Sequence, residues 1–104
     1  MAKKEALTAS NQAGEERLYV ILTEFKEIFC GWATDVSGDR IKLRAARQAV
    51  YFSADSHGLL GLAVNGPGRD SRIGPAANIE CRKVVNVIEC SLPAVKNWEQ
   101  AKWR

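Results

Sequence analysis

Residues 78–90 carry the strongest strand pattern in the chain, and they set its class. Ile79 and Cys81 alternate with polar neighbours, and Val84, Val85, Val87 and Ile88 follow. β-Branched side chains are stiff at χ1 and pack well on a pleated surface, so such a run favours sheet over helix. Thirteen residues exceed an ordinary strand, so a bend or division around Lys83 is expected. Earlier segments share the pattern. Leu18, Val20 and Leu22 alternate with Tyr19, Ile21 and Thr23, and residues 28–34 read as a second strand after a short link at 24–27. Ser37-Gly38-Asp39 predicts a tight hairpin with positive φ at Gly38. Ile41 and Leu43 alternate with Arg40, Lys42 and Arg44 in a third strand, and residues 49–52 form a fourth. Residues 44–48 read equally as helix or strand, because alanine and arginine both favour helix.

The end of the chain changes period. Ser91 is a good N-cap, Pro93 suits the first helical turn, and Val95, Trp98 and Ala101 recur at helical spacing. A helix over residues 92–103 is expected. The fold class is therefore mainly β (α+β): a small antiparallel sheet of about five strands, curled as a barrel or half-barrel, with a C-terminal helix. With 104 residues there is room for one domain, over residues 17–104, preceded by a flexible polar tail at 1–16. So small a core is marginal alone, which makes a homo-oligomer attractive.

Charge locates a candidate site. The net +3 hides a net −3 over residues 1–39, +5 over 40–83 and +1 over 84–104. Six of the eight cations in the central segment are arginine, whose planar fork grips phosphate through paired hydrogen bonds. That segment also holds five of the eight glycines and the prolines Pro67 and Pro75, so residues 65–75 are expected to be loop. Glycines there let backbone amides approach an anion. Arg69, Arg72 and Arg82 are expected to hold phosphate, Ser71 to add a hydroxyl, Gly66 and Gly68 to shape the loop, and Asn65 to read a base or ribose. The plain alternative is a connection whose glycines only make turns. Tyr51 and Phe52 point to opposite faces, so one is core and the other exposed; Tyr51 and Trp103 are the candidate interface residues, and Trp32 and Trp98 are assigned to the core.

Catalysis is the minority reading. His57 is the sole histidine, no nucleophile motif adjoins it, and no metal-binding spacing occurs. Catalytic residues, metals and cofactors are all expected to be none. Cys30, Cys81 and Cys90 are widely spaced and odd in number, as buried small hydrophobes would be. The polar start and short apolar runs suggest a soluble, cytoplasmic protein with no membrane partner.

Several short pieces come in a familiar order: Ser37-Gly38-Asp39, residues 45–51, Leu59-Leu60 and Ala63 before Gly66-Pro67, Ser71 with Ile73-Gly74, Arg82-Lys83-Val84, Glu89-Cys90, and Ala94-Val95-Lys96 with Trp98. In that order, from about Thr23 to Trp98, the chain resembles a family of small uncharacterised phage and prophage proteins, a domain of unknown function. The resemblance implies a phage origin and a small β-rich fold, with no established activity. Phage proteins of this size are often inhibitors of bacterial defence. The first Thoeris anti-defence protein sequesters cyclic nucleotide signals such as glycocyclic ADP-ribose in arginine-lined pockets of an oligomer, and the basic glycine-rich middle is similar in character. The expectation is thus a non-enzymatic anti-defence protein that sequesters a phosphate-bearing small molecule in the bacterial host. The alternative is an anti-CRISPR or other inhibitor that binds a host defence protein complex, with nucleic acid a less favoured partner.

Overall fold

Strand β1 (Arg17–Thr23) has no polar alternation, and the fold explains why: both of its faces are buried. The computed structural model describes residues 15–103, so the tail expected at 1–16 falls almost wholly outside the described residues. Strands β1, β2 (Ile28–Ala33) and β3 (Ile41–Tyr51) form an antiparallel meander, with Val20 opposite Cys30 and Phe29 opposite Gln48. A 3₁₀ turn at Ala54–Ser56 leads into helix α1 (Gly58–Val64). Then come β4 (Arg72–Ile73), β5 (Ala77–Cys81), β6 (Val84–Glu89) and helix α2 (Leu92–Gln100). Among the described residues the architecture is a six-stranded antiparallel sheet with two α-helices.

Strand β3 organises the sheet. It runs through residues 44–48, which resolves that ambiguous stretch as strand, but it breaks step at Ala45, where φ is 52°. The Ala45 amide, freed from the ladder, donates to Asn78 Oδ1 at 3.0 Å. This bulge lets the outer edge of β3 serve two partners: β5 over Ile41 to Ala46, and β4 over Ala49 to Tyr51. The sixth strand, β4, is a two-residue piece inside what the glycines and prolines marked as loop.

The 78–90 run divides where expected, at Arg82-Lys83, with Lys83 at φ 56°. Those two residues carry the chain from the outer edge of β3 to the far edge of β1, where β6 pairs with Val20 opposite Ile88. Only a strongly curled sheet lets so short a link join its two edges. Backbone bonds pin this corner: Glu24 donates to the Lys83 carbonyl at 2.9 Å and Val84 to the Asp39 carbonyl at 3.0 Å. Strands β5 and β6 do not pair with each other, so of the two expected forms, barrel and half-barrel, the sheet takes the open one.

Curling creates two cores. On the outer face, Leu18, Val20, Cys30, Ala49 and Ile73 pack under α1 and α2 against Leu62, Ala63, Ala94 and Trp98. On the inner face, Tyr19, Ile21, Phe29, Ala33, Ile41, Leu43, Ala46 and Cys81 pack on one another. Helix α2 starts as its sequence demands: Ser91 Oγ accepts from the Ala94 amide, and Pro93 sits in the first turn. It ends at Gln100, short of the expected 103, because Ala101 turns extended and Trp103 bridges to Arg72 as a strand would. The hairpin at Ser37-Gly38-Asp39 is also corrected. Residues 34–40 form a wider connection in which Asp35 Oδ1 accepts from the Ser37 amide and hydroxyl, and Gly38 does not adopt positive φ.

Candidate functional site

The loop after α1 is held chiefly by its own chain. Asn65 and Gly66 amides donate to the Gly61 and Leu62 carbonyls, closing the helix. Gly66 takes φ 82°, and a Cβ there would meet Asn97 Cβ at 2.6 Å, so the close approach of α2 requires glycine. The Gly68 amide donates to Ser56 Oγ at 2.7 Å, the Arg69 amide to Asp55 Oδ2 at 3.4 Å, and the Ser71 amide to the Gly68 carbonyl at 3.2 Å. Ser71 is buried, and its hydroxyl accepts from the Ser53 amide at 3.0 Å. The amides expected to cradle an anion thus face the 3₁₀ turn, where the Asp55 carboxylate takes an anion's place. Hydrogen bonds from the Ser53 hydroxyl, and then from the Arg69 amide, hold the Asp55 carboxyl below its ordinary range.

The side chains remain. Arg69 is exposed beside a recess of about 150 Å³ lined by Pro67, Gly68, Ser71, Asn97, Gln100 and Lys102 among others. The structure therefore brings Gly68, Arg69 and Ser71 together, and adds Asn97, Gln100 and Lys102 from α2 and the residues beyond it. Asn65 caps α1 and its carbonyl accepts from Asn97 Nδ2 at 2.7 Å. Arg72 lies on β4 in the bridge to Trp103. Arg82 is not brought to this loop: it follows the far end of β5 and pairs with Glu80 at 3.3 Å.

A larger concavity opens where the inner core reaches the surface. It measures about 330 Å³ and is lined by Phe29, Ala46, Gln48, Val50, Gly74, Pro75, Ala77, Ile79 and Trp103. None of these side chains is charged. Val50 is 54% exposed and Trp103 61% exposed, so large apolar surface faces water here. Tyr51, at 53%, is exposed beside them in sequence, while Phe52 packs against the outer core, as their alternation predicted. Trp98 is buried in the outer core, and Trp32 is half-buried with Arg44 stacked over its ring at 5.8 Å.

Sequence reasoning counted Arg47 among the phosphate-suited cations, but its role is internal. Its guanidinium donates to the carbonyls of Gly74 at 2.7 Å, Trp98 at 2.9 Å and Ile73 at 3.3 Å. It ties β4 and the end of α2 to the sheet. The hint was its position: in a strand whose other cations alternate outward, Arg47 follows the bulge and so points to the helix side. His57 takes left-handed φ of 66° at the start of α1 and is exposed. Among the described residues, no helix is long and apolar enough to cross a membrane.

A family model described as a domain of unknown function matches residues 17–98, the span from β1 to Trp98 of α2. No curated protein and no solved structure matches the chain. The chain belongs to that family, DUF6948.

Proposed function

We propose that this member of DUF6948 acts by binding, without catalysis, and that its principal contact surface is the apolar groove ending at Trp103. One observation carries the reading: an uncharged concavity of about 330 Å³ with an indole, a valine and an isoleucine presented to solvent at its rim. Interfaces draw their energy from apolar and aromatic anchors seated in such hollows. The partner is a protein that inserts a large apolar side chain, which is the class of contact a direct inhibitor of a host complex makes. Panning a displayed peptide library against the domain tests it. Enriched peptides should share an aromatic or large aliphatic anchor, and their binding should weaken by roughly 2 kcal/mol or more with Val50→Asp or Trp103→Ala. Failure to enrich, or binding indifferent to both substitutions, defeats the reading. Sedimentation of the domain alone separates a second copy of this chain from a different partner.

A second reading is favoured by Arg69 and Lys102 at the smaller recess. There the domain holds the phosphate of a small molecule and sequesters it, as an anti-defence protein of the expected kind would. About 150 Å³ admits a phosphate group, with the rest of the ligand lying outward. Thermal shift with cyclic nucleotides should be lost in the Arg69→Ala, Lys102→Ala double variant; an unchanged shift removes this reading.

A further inference from the structure

Strand β6 ends one side of the sheet and lines neither of the two recesses above. Among the described residues it pairs with β1 alone, so its outer edge is open. The Cys90 amide, in line with β6, donates inward to the Leu18 carbonyl at 2.9 Å. Alternation along an antiparallel pair then turns the Ile88 and Asn86 amides toward β1 and the Val87 and Glu89 amides outward. None of the six residues is fully buried, although four are valine or isoleucine, and Val85 is exposed. Sheet edges that stay single are commonly blunted by a charge, a lysine or a proline within the strand. From Val84 to Ile88 there is none. The register shift opposite Leu22 and Thr23 falls at the start of the strand and leaves residues 86–89 regular.

Charge indicates the occupant. Arg82 and Lys83 precede β6, Glu89 ends it, and the five residues between are uncharged. Arg17 holds Glu89 in place at 3.0 Å. We propose that the open edge of β6 pairs antiparallel with β6 of a second copy of this chain, joining two half-barrels through one continuous sheet. Antiparallel pairing about Val87 lays the Lys83 end of each strand beside Glu89 of the other, twice over, whereas parallel pairing sets like charge on like. Opposite charges and β-branched pairs across neighbouring strands both favour such a ladder. Helix α1 packs over β1 and β6 and presents Leu60 and Val64 to solvent. Exposed Leu92 lies near them, because the Ser91 hydroxyl donates to the Val64 carbonyl at 2.6 Å. Residues opposite each other in a ladder share a face, so pairing sets both α1 helices on the same face of the joined sheet.

Sedimentation equilibrium of the full chain tests this, together with hydrogen exchange resolved by NMR. The chain should be dimeric in the micromolar range, with the Val87 and Glu89 amides protected. Val85→Glu sets a carboxylate near Glu89 of the other copy. It should raise the dimer dissociation constant at least about tenfold and release those two amides. Circular dichroism and protection of the inward Ile88 amide should stay unchanged. Trp103→Ala should leave the dimer intact, which separates this edge from the groove. A chain monomeric throughout that range overturns the proposal, as does a dimer indifferent to Val85→Glu. A monomer whose Val87 and Glu89 amides are still protected gives the edge to residues 1–14 of the same chain, and a dimer lost with Trp103→Ala gives the contact to the groove; each overturns it as well.

Discussion

The two faces of the sheet solve the same problem in different ways. The outer face is roofed: α1 and α2 lie over it, Trp98 fills the gap and donates its indole N–H to the Leu62 carbonyl at 2.8 Å, and Arg47 binds three carbonyls from beneath. The inner face has no roof. It buries itself by curling, and the curl depends on small residues, Gly31, Ala33 and Ala46, where strands bend toward one another. Where β3 passes to Gln48 and Val50 the inner face no longer covers itself, and the groove begins. A roofed face is sealed along its length, whereas a self-enclosed one is sealed only as far as its curvature reaches. The surface most suited to a partner lies where that curvature ends.

This contrast can be broken from the roofed side first. Trp98→Ala removes the largest buried side chain of the outer core and its hydrogen bond to the Leu62 carbonyl. It should destabilise the domain by about 3–5 kcal/mol, read by urea denaturation. A loss below about 1 kcal/mol would mean the helices are not what seals that face. The self-enclosed side is probed by Gly31→Ala. A Cβ at position 31 would meet Leu43 Cβ at 2.9 Å and Ala46 Cβ at 3.0 Å, tightening the place where β2 and β3 approach. Overpacking there should cost about 1–3 kcal/mol and, unlike Trp98→Ala, should change the groove-facing environment of Phe29, visible in its NMR shifts.

The smallest effect concerns the loop that joins the two regions. Asp55 has its carboxyl held below the ordinary value of 3.8, chiefly by the Ser53 hydroxyl. A lowered folded-state pKa contributes stability above the unfolded value and loses it as pH falls through the folded one. The 65–71 loop should therefore stay protected from hydrogen exchange at neutral pH and loosen only below about pH 4, and Asp55→Asn should flatten that dependence. Loosening at neutral pH in the parent protein would show that the carboxylate does not hold the loop.

Much of the framework was readable in order along the chain. β-Branched and aromatic runs marked β1 and β2, Ser91 and Pro93 marked the start of α2, and the valine-rich run announced its break at Lys83. Those signals are local, and local chemistry decides them. What escaped reading depended on distant partners. Residues 44–48 became strand because β2 on one side and β5 on the other pair with them, overriding helical propensity. The two residues of β4 became strand among glycines and prolines because β3 offered an edge. In sequence the loop amides suit an anion cradle, and no one-dimensional pattern shows that Asp55 and Ser56 fold back beneath them. Of the two candidate interface residues only Trp103 lines the groove, whose other walls come from β2, β3 and residues 74–79.

The short Arg82-Lys83 link also has a consequence in time. Strand β1 is among the first elements to leave the ribosome, yet its second neighbour is β6, some 65 residues later. Until residues 84–89 are made, the strand destined for the deepest position has one bare edge. Domains rich in such distant pairings fold slowly, and their unpaired edges are where nascent chains stick to one another. A strand buried on both faces is thus begun early and finished late, and the vulnerable period of its synthesis is the interval between the two.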